Sequence, residues 1–196
     1  MDCYVFKNNA LKALENRHKN AKFDHPTLLK MSIKTKLFFC KALKIIDFEE
    51  IITMYNEKDS NKYIEPLLNR SENFYREFLE KKLESKKEDT VFWTVRSRST
   101  EELIGTINLN TFGDTDLVQV GCHLKRNYWA QNYATELLGA LLDYAQNERK
   151  LKAVHGVFNK DNVASKRLME NLGFRPYESR FHLGVDLFVY RRDFKS

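Results

Sequence analysis

The order of segments in this chain predicts an α/β protein of the α+β kind, with a mixed, mostly antiparallel sheet flanked by helices. Three observations carry that expectation. Short β-patterned runs separated by polar turns precede residue 125, as hairpin-connected antiparallel strands do. An amphipathic helix follows at once, with Ala134, Leu137, Leu138, Leu141, Leu142 and Ala145 on one side. A strand, a second helix and two closing strands come after it, so the later half contains a βαβ unit and the sheet is mixed.

Taken in order, the first thirty residues hold a polar helical pattern (Leu11, Leu14, Glu15, Arg17, His18) that ends near Pro26. They are expected to form a helical extension over residues 1–30, with residues 31–196 as one domain. Thr35–Leu43 reads as the first strand, and Asp47 is placed to cap a helix running through Tyr55. Ser71 is placed to cap another, in which Tyr75, Phe78, Leu79 and Leu83 share a face. Strands are expected at Thr90–Arg96, Leu103–Leu109 and Leu117–Leu124. After the amphipathic helix come a strand at Lys152–Phe158, a helix from Asn162 to Leu172, and strands at Arg175–Phe181 and Val185–Arg191.

A length of 196 residues suits a single well-developed core, and 31% charged residues argue for a soluble chain. No apolar run is long enough for a transmembrane helix, and the N-terminus lacks a secretory plan, so a cytoplasmic protein is expected. The three cysteines, Cys3, Cys40 and Cys122, are far apart and in no metal-ligand spacing, which predicts reduced thiols and no metal site. The net charge of +6 is scattered over short basic pairs, so direct nucleic-acid binding is not expected. His18, His25, His155 and His182 form no triad or metal spacing.

Chemistry concentrates in Tyr128-Trp129-Ala130-Gln131-Asn132-Tyr133-Ala134-Thr135-Glu136, a turn leading from a strand into the amphipathic helix. The first N–H groups of a helix have no intrahelical partner and the macrodipole adds positive charge, so such a turn accepts a phosphate without a basic side chain. Neither common nucleotide loop, Gly-x-x-x-x-Gly-Lys-Ser/Thr nor Gly-x-Gly-x-x-Gly, is present. Downstream lies Asn162-Val163-Ala164-Ser165-Lys166-Arg167-Leu168-Met169-Glu170-Asn171-Leu172-Gly173-Phe174. Together the two segments resemble the acyl-CoA-binding core of the GNAT N-acetyltransferase superfamily, in the branch of bacterial ribosomal-protein N-terminal acetyltransferases. That branch reads Tyr-Trp-Gly-Lys-Gly-Tyr-Ala-Thr-Glu, then Asn-x-x-Ser and Gly-Phe. Both turn glycines are replaced here, by Ala130 and Asn132. Asn tolerates the left-handed region best among non-glycine residues, so Asn132 is expected to keep the backbone shape, while Ala130 adds a methyl group.

The resemblance implies an N-acetyltransferase that uses acetyl-CoA without a metal, by direct attack of an amine in a ternary complex. Pantetheine would pair like a short strand with backbone at Cys122, His123 and Leu124. The pyrophosphate would rest on the amides of Trp129, Ala130, Gln131, Asn132, Tyr133, Ala134 and Thr135. Asn162 and Lys166 would contact the far side of the cofactor, their ordinary alternatives being a helix cap and a solvated lysine. The acceptor implied is a protein N-terminus, with a small amine (polyamine, aminoglycoside or amino acid) as the alternative, and the chain a monomer or homodimer. A catalytically degenerate acyl-CoA-binding module is the reading from another class.

Acyl transfer to an amine needs a proton taken from nitrogen and one given to the leaving thiolate. Many members of the superfamily place a donor Tyr seven residues after the motif Asn, where this chain has Met169. In the resembled branch a Ser three residues after that Asn faces the sulfur, and Ser165 stands there, a helix-capping hydroxyl being its ordinary role. The branch's Ala-Glu-Ile-Gly becomes Val118-Gln119-Val120-Gly121, which removes a carboxylate. His123, on the same strand face as Gln119 and expected to titrate near neutrality, and Glu178, just beyond the Gly-Phe, are the candidate bases.

Overall fold

The computed structural model describes residues 32–85 and 90–194. The extension expected over residues 1–30, with Cys3, His18 and His25, lies outside them. Residues 32–196 form one compact unit. Its strands are β1 (Ile33–Lys34), β2 (Phe38–Ala42), β3 (Val91–Ser97), β4 (Leu103–Thr111), β5 (Val118–Leu124), β6 (Ala153–Asn159), β7 (Arg175–His182) and β8 (Val185–Asp193). The α-helices are α1 (Phe48–Tyr55), α2 (Glu72–Glu84), α3 (Tyr133–Asn147) and α4 (Val163–Asn171). The eight strands form one sheet in the order β1-β2-β3-β4-β5-β6-β8-β7. Among the described residues only β5 and β6 pair in parallel; every other neighbouring pair is antiparallel. This is the mixed α+β sheet expected from the sequence.

Helices cover both faces. Tyr55 of α1 stacks on His123 of β5, with ring centroids 5.2 Å apart, and Tyr75 of α2 meets Tyr55 edge-on at the same separation. Their apolar sides close a cluster of Leu43, Phe48, Ile51, Met54, Leu67, Leu79 and Leu103. On the opposite face Tyr144 of α3 meets Trp93 of β3 edge-on at 5.0 Å. The apolar stripe read in α3 is the buried one, with Leu137, Leu138, Leu141, Leu142 and Ala145 all inside. α4 presses Met169 onto β6, where a Cβ added to Gly156 would lie 2.4 Å from the Met169 sulfur. Gly105 is equally constrained, because a Cβ there would come within 2.3 Å of the His123 carbonyl oxygen on β5.

Two local expectations are corrected. The run Thr35–Leu43 is not one strand: Thr35 and Phe38 exchange backbone and hydroxyl hydrogen bonds that fold a tight turn, so β1 and β2 form a hairpin with Ile33 opposite Cys40. Asp47 does not cap α1 through its side chain, since it already has helical φ and ψ as the end of a 3-10 turn, Ile45–Asp47. Capping needs an extended residue that can reach forward. Its carboxylate instead accepts the Lys44 N–H at 2.9 Å and pairs with Arg96 at 2.7 Å. Ser71, which is extended, caps α2 as expected by accepting the Phe74 N–H.

Candidate functional site

The site grows from the parting of β5 and β6. The two strands are in register at a single pair, Gln119 and His155. There His155 donates from Nδ1 to the Val118 carbonyl oxygen at 3.1 Å, while its buried Nε2 has no partner among the described residues. Burial lowers the pKa of this imidazole. Beyond that point β5 continues through Cys122, His123 and Leu124 paired with β4 and, among the described residues, no longer with β6, so its other edge opens toward β6 as a V.

At the end of β5 the chain makes a 3-10 turn, Arg126–Tyr128, and enters α3 through two left-handed residues, Ala130 (φ 56°) and Asn132 (φ 62°). The left-handed conformation expected at Asn132 is observed. Ala130 shares it, so this alanine is more than an added methyl group: it is held where an L side chain costs about 1–2 kcal/mol. Asn132 makes no side-chain cap to α3. Among the described residues, the backbone N–H groups from Ala130 to Thr135 donate to nothing. A row of exposed or half-exposed unpaired amides at the positive end of a 15-residue helix has the donors and the dipole that an anion needs. Trp129 differs from the expectation, because its N–H is committed to the Arg126 carbonyl oxygen at 3.1 Å. Its indole donates to the Leu124 carbonyl oxygen at 2.8 Å, which fixes the end of β5 and takes up a group expected to face pantetheine.

On the α1 side, β4 and β5 present a polar strip. Thr106, Asn108 and Asn110 stand opposite His123, Gly121 and Gln119. Asn108 donates to Asn110 at 2.5 Å and Asn110 to the Thr111 carbonyl oxygen at 2.7 Å. A Cβ at Gly121 would lie 2.5 Å from the Asn108 oxygen, so any side chain there would displace the Asn108 amide. His123 is hydrogen-bonded through Nε2 to Ser60 Oγ at 2.8 Å. Its expected titration near neutrality is not what the structure gives: burial beneath Tyr55 and the 56–64 loop pushes its pKa down to about 4, against a smaller opposing effect of the Ser60 hydrogen bond.

The loop after α1 is a strap across the V. Ser60 holds His123 on β5, and Glu65 accepts from Asn159 Nδ2 on β6 at 2.6 Å. Arg126 clamps its outer side through the Lys58 carbonyl oxygen and Asp59, at 2.7 and 3.0 Å. Asn61 donates to Tyr55 O and Tyr75 OH from inside. Ser60, Glu65 and Asn159 carry no sequence signal, because their partners lie 63 and 94 positions away.

The remaining candidates fall at different places. Asn162 caps α4 by accepting the Ser165 N–H at 3.0 Å, its ordinary role. The Ser165 hydroxyl is thereby left out of the cap, and among the described residues it makes no hydrogen bond. The Lys166 side chain is 45% exposed and its Nζ lies 4.0 Å from Glu170 one turn on. Glu178 sits on β7, three strand positions from β5, which at about 4.8 Å per step is about 14 Å from the strand of His123. Its carboxylate pairs with Arg180 at 2.5 Å. The two candidate bases are therefore not brought together. Cys122 is a free thiol whose pKa burial pushes up to about 12.

Comparison with known proteins agrees with this geometry. Residues 40–175 match the acetyltransferase (GNAT) domain family. A curated relative, the uncharacterized N-acetyltransferase YoaA of Bacillus subtilis (strain 168), is 25% identical over 125 residues, which are 63% of this chain and 67% of YoaA. Two further Bacillus relatives are matched over 56% and 59% of their own length. Among solved structures, the ribosomal L7/L12 alpha-N-protein acetyltransferase RimL, in complex with coenzyme A, shares the fold with a TM-score of 0.69 and 14% identity. The match covers 83% of this chain and 98% of RimL. The spermidine N-acetyltransferase of Vibrio cholerae, in complex with CoA and spermine, gives 0.67 and 16%, over 80% of this chain and 95% of its own.

Proposed function

The chain belongs to the GNAT acetyltransferase family, and on that premise we propose that it moves an acetyl group from acetyl-CoA to a primary amine by direct attack in a ternary complex. The observation that carries the cofactor half is the row of unpaired amides from Ala130 to Thr135 beside the open edge of β5. Those N–H groups and the α3 dipole would hold the pyrophosphate, and Cys122, whose backbone faces the open edge while that of His123 faces β4, would offer N–H and C=O to the pantetheine. When bound, acetyl-CoA supplies an activated carbonyl and a thiolate that leaves.

Ser165 is the group we assign to the sulfur side. Its hydroxyl, free of the α4 cap, donates a proton to the departing thiolate and regains one from solvent. Met169, in the position of the superfamily's Tyr, has no proton to give and is 6% exposed against Gly156. On the nitrogen side, His123 stays neutral at physiological pH and bonded to Ser60. Its bond to the Ser60 hydroxyl holds the ring in place, and it takes up a proton only once C–N bond formation has made the nitrogen strongly acidic. The amine's first proton goes to water. Glu178, paired with Arg180 three strands away, is given no part.

For the acceptor, a protein N-terminus is favoured over a polyamine by the lining of the α1 face. Asn108, Asn110 and Gln119 are neutral amides suited to hydrogen-bonding peptide groups, whereas a polycation calls for carboxylates. The test is thioester cleavage measured with a panel of N-terminal peptides, spermidine, an aminoglycoside and free amino acids. Turnover with peptides supports the reading; turnover only with polyamines moves the acceptor, and binding without any turnover leaves a degenerate module. In Ser165→Ala, turnover should fall at least tenfold with acetyl-CoA affinity within a few-fold, as for loss of a positioned acid.

A further inference from the structure

The V between β5 and β6 closes at one pair of residues, Gln119 and His155. On the cofactor placement proposed above, pantetheine runs back along the open edge of β5 from the α3 turn and must stop where the strands join. Its thioester would therefore lie beside this pair. Alternate residues of a strand share a face, and Tyr55 of α1 stacks on His123, so Gln119, Gly121 and His123 all face α1. His155, in register with Gln119 on the neighbouring strand, faces α1 too, as does Asn159 four residues on, which the strap holds through Glu65.

His155 is 5% exposed, and the bond from its Nδ1 to the Val118 carbonyl oxygen settles what its unpartnered Nε2 can do. A neutral imidazole that donates from one nitrogen accepts at the other. Burial lowers the pKa of this ring and so favours the neutral form. A buried acceptor without a donor is costly, and what this one lacks is an N–H or O–H. Gly121 lies midway along β5 between Gln119 and His123 and has no side chain. A nitrogen over Gly121 would have one imidazole on either side, His155 toward the apex of the V and His123 toward the strap.

We propose that His155 binds the attacking amine, its Nε2 accepting the N–H that the amide product keeps. This rests on the acetyl transfer proposed above, and the hydrogens balance. The ammonium gives its first proton to water, and C–N bond formation then leaves two hydrogens on nitrogen. One passes to His123 while the C–S bond breaks and Ser165 protonates the thiolate; the other stays against His155. The half-exposed ring of Tyr177, 5.5 Å from that of His155, turns aside to admit the amine. A secondary amine keeps only one hydrogen after attack, and that one must leave, so Nε2 is stranded. A site built around such a bond rejects the analogue that lacks it, and primary amines are selected.

The test is kcat/KM for the best amine of the acceptor panel and for the same amine N-methylated at the reacting nitrogen, with melting curves to confirm folding. Wild type should prefer the primary amine at least tenfold more strongly than His155→Phe does, with CoA affinity within a few-fold in both. His155→Gln, whose carbonyl oxygen can accept, should retain most of the preference. His155→Leu, equally without an acceptor, takes the place of the Phe variant where that one does not fold. Turnover of the primary amine with the same preference in wild type and the variants without an acceptor would overturn this role and leave the acetyl transfer standing. No turnover of any amine by wild type would overturn both.

Discussion

Burying His123 as a neutral ring makes the fold acid-sensitive in a defined window. In an unfolded chain this histidine takes a proton near 6.5, whereas in the folded protein it does so only near 4. The unfolded state therefore binds more protons between those values, and the contribution of this group is complete above pH 6.5 and lost as pH falls through 4. A gap of that size corresponds to at most about 3 kcal/mol, of which about 2 kcal/mol is gone by pH 5. The ring is half-buried, which makes these upper values. Urea unfolding of wild type and His123→Gln at pH 8 and pH 5 isolates the effect. The variant loses the stack on Tyr55 and starts less stable, but it should lose about 2 kcal/mol less than wild type between the two pH values. His155, whose pKa is also lowered by burial, is present in both proteins and cancels in the difference. Equal losses in the two proteins would refute the claim that His123 is held neutral.

The same depression carries to catalysis: between pH 6 and 9 the turnover profile of His123→Gln should keep the wild-type shape whatever its height, as steady-state rates across pH would show. Ala130→Gly relieves a left-handed alanine and should stabilise the fold by about 1 kcal/mol, seen as a higher Tm. Asn132→Gly should leave CoA affinity equal or tighter by calorimetry, while Asn132→Val should weaken it, since a β-branched residue is an outlier at positive φ. Gly156→Ala should destabilise by about 1–3 kcal/mol by forcing Met169 out of place. In denaturant melts, its cost should shrink when Met169→Ala is already present.

Local patterning made most of the fold legible. The α3 stripe, the Ser71 cap and the Asn132 turn each depend on residues within one or two helical turns, and each was found where the sequence put it. The turn at the start of Thr35–Leu43 is not legible in the sequence, because a turn closed by Thr35 and Phe38 carries no Gly or Pro. Asp47 was misread because its partner, Arg96, lies 49 positions away. The site divides along the same line. The anion turn is a contiguous segment and could be read, whereas the strap of Ser60 and Glu65 and the amide strip of Asn108 and Asn110 exist only once β4, β5 and β6 are side by side. Glu178 shows the limit of carrying a role by sequence distance, since a β7 position maps to the far end of the sheet.

The central claim is that the turn from Ala130 to Thr135 holds the phosphates of CoA. Amide hydrogen exchange resolved to single residues, with and without saturating CoA, addresses it directly. Those amides, unbonded in the free protein, should exchange fast without CoA and become strongly protected with it, together with Cys122 on the open edge of β5. Saturable CoA binding that protects another surface and leaves residues 130–135 unchanged would contradict the account.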